Sequence, residues 1–264
     1  MKPNALPIAF NNSGARLEEL LALAPRPPLQ EIAFGFIAVL YRRLAVGGLL
    51  MDGTPERFFS YLFNSSRAYT WFLENGPAAE KLASKADAFF DAVACHDDEG
   101  ALRMVAAAPP ATDVSKEYEE DFFAVRILMD MFFGNNDQTV IRTWLAAWEV
   151  LAAANPDTRL GVCKALILAD QSAFDEALSA DLAGRATRLA KARKQESLDP
   201  DEACTTAIVS TEVLAWLDLA GRVGLKTASN YPFAPSVARH FALLSRPAPD
   251  DWLVSEPFGA FDEE

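Results

Sequence analysis

The stretch Glu117–Phe133, EYEEDFFAVRILMDMFF, decides the fold class of this chain. On a helical wheel Tyr118, Phe122, Val125, Met129 and Phe133 share one face, and Phe123, Ile127 and Met131 lie roughly opposite. From Phe122 onward such a helix is apolar nearly all round, which suits an element packed on several sides in a bundle. Its acids, Glu117, Glu119, Glu120 and Asp121, crowd the first turn, where they complement the helix dipole. Gly134 supplies a stop. Arg126 and Asp130 stand i,i+4 within the apolar part and are expected to form a partly buried pair that holds the register of a central helix.

Outward from this helix almost every segment reads as helix, with breaks at clusters of proline, glycine and asparagine. The opening ten residues read as irregular, Arg16–Leu23 as a short helix, and Leu29–Val46 as a helix ended by a turn at Gly47-Gly48. Thr54-Pro55 starts the next helix, which ends at Asn75-Gly76. Pro77 opens another to about Ala94, and His96–Gly100 is a polar turn with Asp97 or Asp98 as cap. Beyond Gly134, Asp137, Asp157 and Asp170 cap three helices in turn. Asp199-Pro200 starts one helix over Asp201–Val223, and a last helix spans about Ser236–Leu244. The pair RLGVCKALILADQSAFDEAL, Arg159–Leu178, looks like one tetratricopeptide-type hairpin, with no second copy at a fixed period to support a solenoid. No alternating strand pattern appears. The expectation is an all-α, irregular multi-helix bundle forming a single domain over 1–264. Within it, 1–110 is a candidate helical subdomain, 111–245 a C-terminal part and 246–264 an acidic tail.

At 264 residues the chain can bury roughly three-quarters of its unfolded surface and needs no covalent staple. Its three cysteines, Cys95, Cys163 and Cys204, allow no disulfide framework or CxxC metal spacing, which favours a reducing compartment. The start, MKPNALPIAF, lacks the pattern of a signal peptide, so a cytoplasmic location is expected. The apolar run Ile32–Met51 is interrupted by Arg42, Arg43 and two glycines, and reads as a core helix rather than a membrane span. A net charge of −13 repels phosphate backbones and anionic lipid and attracts basic proteins, so neither nucleic acid nor membrane is an expected partner.

Catalytic signatures are sparse. His96 begins an HD dipeptide, but one further histidine cannot complete a metal phosphohydrolase site, and a capping role for the aspartates is favoured. A nucleophile pair would require Cys163 or Cys204 beside His240, and Cys163 reads as a small buried hydrophobe. There is no GxSxG, Walker loop, GxGxxG or Glu-x-x-His pair, and no cofactor is implied. Glu212 is either an internal carboxylate or, the favoured reading, a solvated helix edge. The tail interleaves Asp250, Asp251, Glu256, Asp262, Glu263 and Glu264 with Trp252, Phe258 and Phe261. Aromatic anchors ringed by acids suit an interface with a basic protein, and equally the aromatics could pin the tail to this chain's own core.

Three stretches, EYEEDFFAVRILMDMFF, RLGVCKALILADQSAFDEAL, and STEVLAWLDLAGRVGL followed by YPFAPSVAR, together resemble the all-helical immunity-protein family numbered 49. That family is encoded beside toxins in bacterial polymorphic-toxin and competition systems. The resemblance covers roughly Glu117–Arg239 and is one of packing pattern and order. It implies a non-enzymatic antidote that binds a cognate toxin domain, for which a basic domain such as a nuclease would suit the acidity. The tail residues Asp250, Asp251, Trp252, Glu256, Phe258 and Phe261 are the candidate contacts. Two other readings remain: a tetratricopeptide-like adaptor, and an enzyme with a polar pocket around His240, Cys163 or Glu212.

Overall fold

The computed structural model describes residues 5–241 and 245–254. Among them lie eleven α-helices and no named strand, so the fold is all-α. Helix α1 (Ala5–Leu21) lies on α2 (Glu31–Asp52), and α2 packs along α3 (Pro55–Asn75). This layer is the most heavily packed part of the molecule, with Phe34, Ile37, Tyr41, Leu44, Phe58, Phe59, Leu62, Tyr69 and Phe72 essentially sealed from solvent. By length and composition α2 could cross a membrane, yet it lies mostly buried inside the fold. Its two arginines are paired, Arg42 with Asp91 at 2.8 Å and Arg43 with Asp199 at 3.1 Å.

Several boundaries differ from those read in the sequence. Helix α1 begins within the stretch read as irregular, because Ala9, Phe10, Ser13, Gly14 and Leu17 form a buried i,i+3,i+4 face, with Asn11, Asn12 and Arg16 among the residues on the outside. Helix α2 runs through Gly47-Gly48 instead of turning there. The glycines are contact points: a Cβ at Gly47 would stand 2.9 Å from the Phe10 ring, too close for any side chain. The helix stops at Gly53, whose φ of +72° is the left-handed conformation that glycine adopts freely. After Pro77 the chain makes two single 3-10 turns, Ala78–Glu80 and Ala83–Lys85, before α4 (Ala88–Ala94). Helix α5 (Asp98–Ala107) is capped by Asp97, which accepts from the Gly100 backbone.

The stretch that fixed the fold class becomes α6 (Glu119–Phe132), with nine consecutive residues, Phe122–Asp130, buried. Tyr118 is the exception to the expected face. It sits at the extended N-cap and is 73% exposed. Arg126 pairs with Asp130 at 2.8 Å, and its Nη1 also donates to the carbonyls of Val105 and Ala108. The pair therefore satisfies the end of α5 and locks it against α6.

Helices α7 (Gln138–Ala154), α8 (Thr158–Leu168) and α9 (Gln171–Lys194) start where their aspartate caps were expected, at Asp137, Asp157 and Asp170. Helices α8 and α9 form a hairpin. The single helix expected after Asp199 is two: α10 (Pro200–Cys204) and α11 (Thr211–Arg222). Thr205 leaves helical backbone geometry, and Ser210 caps the new start through Val213. Among the described residues of the expected final helix, a 3-10 turn, Ser236–Ala238, stands at its beginning. The apolar core runs without interruption from Phe10 to Trp252, across position 110.

Candidate functional site

Among the polar concavities of this helical frame, two involve the tail and Glu212. The larger, about 820 Å³, lies between the outer face of α3 and the segment 245–254. Helix α3 contributes Glu56, Ser60 and Asn64, an i,i+4,i+8 polar stripe on an otherwise buried helix, with Arg57 and Tyr61 beside it. Asp52, Ser245, Arg246 and Asp251 complete the rim. Arg57 faces Asp52 at 3.7 Å, and Arg246 donates to the His96 carbonyl at 3.0 Å. Asn64 is 9% exposed, and its Oδ1 has no hydrogen-bond partner.

The tail residues expected to meet a partner divide at this groove. Asp250 and Asp251 are exposed. Trp252 is 1% exposed, its ring against Phe34 and Trp71 at centroid distances of 6.1 and 5.7 Å, and its carbonyl accepts the Tyr41 hydroxyl at 2.6 Å. In this conformation Trp252 is an anchor to the chain's own core and offers no ring surface to a partner. Of the two alternatives open for the tail aromatics, this ring takes the second, a large apolar group that gains by burial in the chain's own core. Glu256, Phe258 and Phe261 lie outside the described residues.

The smaller concavity, about 370 Å³, lies between the α8–α9 hairpin and the body. It contains Glu212, and the expectation of a solvated helix edge is corrected here. Glu212 accepts from Arg185 at 2.5 Å with about a fifth of its side chain exposed. Burial raises its pKa, opposed by the charges of Arg185 and Arg159. Arg159 is itself shared between Asp157 and Asp121, at 2.8 and 2.9 Å. The cleft thus holds the ion pairs Arg185–Glu212 and Arg159–Asp121, with no cysteine or histidine in its lining.

The other groups singled out for chemistry are dispersed. Cys95 and Cys163 are buried, and burial pushes both thiols far above their ordinary range, which disfavours the nucleophilic thiolate. His240 is exposed at the surface, and Cys204 is buried. The HD dipeptide resolves into structure: Asp97 is fully buried, caps α5 and holds Arg67 at 2.6 Å. His96 faces Asp218 at 3.6 Å. Among the described residues no group of three or more histidines, cysteines or carboxylates is arranged to hold a metal.

The family model of immunity protein 49 matches residues 43–238. The chain belongs to the immunity protein 49 family. The match covers most of the chain and reaches back through α3 to the middle of α2, well beyond the second-half stretches that carry the resemblance in sequence. No curated protein and no solved structure matches it. For this family member the α3 residues Glu56 and Asn64 were missed by sequence reading. Their polar stripe was the available signal, but nothing local linked it to a tail almost two hundred residues away.

Proposed function

We propose that this chain is an antidote that acts in the cytoplasm, binding a cognate toxin domain and neutralising it by occupancy rather than catalysis. The observation that carries the reading is the immunity protein 49 match over 43–238, which implies a toxin as partner. The charge of −13 supports a basic toxin, for example a nuclease that must hold phosphates, since opposite fields steer association and speed capture. Burial of Cys163 and the pairing of Glu212 with Arg185 support a binding role over a catalytic one. The acidic residues Asp250, Asp251 and Glu256 are proposed to lie at the contact.

The test is co-expression with the toxin domain encoded beside this chain. Growth should be restored by this protein and not by an unrelated acidic helical protein. Continued killing at equal expression, with both proteins soluble, would defeat the reading.

A further inference from the structure

We propose that the groove between α3 and the segment 245–254 is where the toxin docks, and that its occupant is a lysine- or arginine-bearing segment of that toxin. The inference rests on the antidote reading and specifies its surface. Four observations carry it. The groove is open and, at about 820 Å³, large enough for long side chains together with part of the backbone that bears them. Its two arginines are already engaged, Arg57 by Asp52 and Arg246 by the His96 carbonyl, whereas Glu56 is exposed and makes no ion pair among the described residues. On the groove side, Asn64 is nine-tenths buried with an acceptor oxygen lacking a donor, a group that an incoming ammonium or guanidinium could satisfy.

The fourth observation is the distribution of charge. Beyond Arg246 the sequence carries six carboxylates and no lysine or arginine, nearly half of the net −13 in the last eighteen residues. Trp252, fixed against Phe34 and Trp71, sets Asp251 at the groove, with Asp250 exposed next to it in the chain. A cationic segment would meet rim carboxylates first, where they steer encounter, and then an amide acceptor deeper in.

Hexa-arginine and hexa-glutamate peptides are the probes, titrated by calorimetry at low salt against the full chain. Wild type should bind the cationic peptide and ignore the anionic one. The E56K/D251K double substitution should weaken binding about tenfold or more. The D175K/E176K control makes the same change in net charge on α9, which lines none of this groove, and should change affinity less than about threefold. Both sites are exposed, and a thermal melt of each variant verifies the fold. Equal weakening by the two variants would mean that only net charge is sensed and would overturn the groove. So would loss of a self-associated species by E56K/D251K in sedimentation, because a second copy would then be the occupant. With the toxin itself, E56K/D251K neutralising at wild-type potency overturns the groove and leaves the antidote reading intact. Groove-dependent peptide binding by a wild type that protects against no toxin overturns the antidote reading instead.

Discussion

The α2–α3 and α8–α9 hairpins have similar local architecture and opposite energetics. Helix α3 buries thirteen of its 21 residues, including Asn64, Ser65, Ser66 and Arg67 in its middle. Helix α9 buries four of its 24. The charges follow the same division. Arg67–Asp97 and Arg42–Asp91 pair inside the body, with both aspartates fully buried and Ser66 and Ser65 donating to them. Arg185–Glu212 pairs in a partly open cleft, and Lys164–Glu149 is about half exposed. The same chemistry is therefore a fixed element of the body and a loose fastening in the hairpin, because removing one partner strands a charge only where water cannot reach it.

The comparison is most exposed to failure at the sealed pairs. Asp97→Ala removes the cap of α5 and leaves the buried Arg67 guanidinium with only the exposed Glu99 at 3.3 Å, and should cost about 3–5 kcal/mol in urea unfolding followed by tryptophan fluorescence. A loss below about 1 kcal/mol would mean that water already reaches the pair. Trp252→Ala, by emptying a site between Phe34 and Trp71, should cost a comparable 3–5 kcal/mol or so. An unchanged melting curve would place the tail outside the core. Deleting the chain from Asp250 onward would mix this packing loss with any loss of partner binding, so truncation after Val254 separates the two.

In the outer hairpin the effects shrink. Arg185→Ala also takes the cation away from the buried Asp181, 3.8 Å off, so it should cost about 2 kcal/mol, and a loss above about 3 would make the cleft as closed as the body. Glu212 sharpens this through pH. Burial raises its folded-state pKa above the ordinary 4.5, so its neutral form is favoured on folding. Its contribution is full below that ordinary value and is lost as pH rises through the folded one. The stability of Glu212→Gln relative to wild type should therefore improve as pH is raised from 4.5 towards neutrality. A difference that stays flat, or that worsens, would place Glu212 in bulk solvent or in a dominant pair with Arg185. Smallest of all, Lys164→Ala should change stability by a few tenths of a kcal/mol.

What sequence made legible follows from the range of the forces involved. The caps at Asp137, Asp157, Asp170 and Asp199 act over two or three residues and are readable, while for α5 the sequence leaves Asp97 and Asp98 as alternatives. The Arg126–Asp130 pair spans one turn and was readable too. Gly47 misled because its role is tertiary, the approach of Phe10 from another helix. The split between α10 and α11 was hidden because the Ser210 cap sits inside a run that otherwise continues as helix. The groove was the least legible feature. Glu56 and Asn64 come from one helix and Asp251 from the far end of the chain, and only the burial of Trp252 brings them together.

Neutralisation by binding makes a direct demand on stoichiometry, checked by titrating a purified cognate toxin domain with this chain while following the toxin's own activity. The expected result is a linear fall to complete inhibition at one-to-one stoichiometry, with association slowed by added salt. Full toxin activity in the presence of excess protein would contradict it.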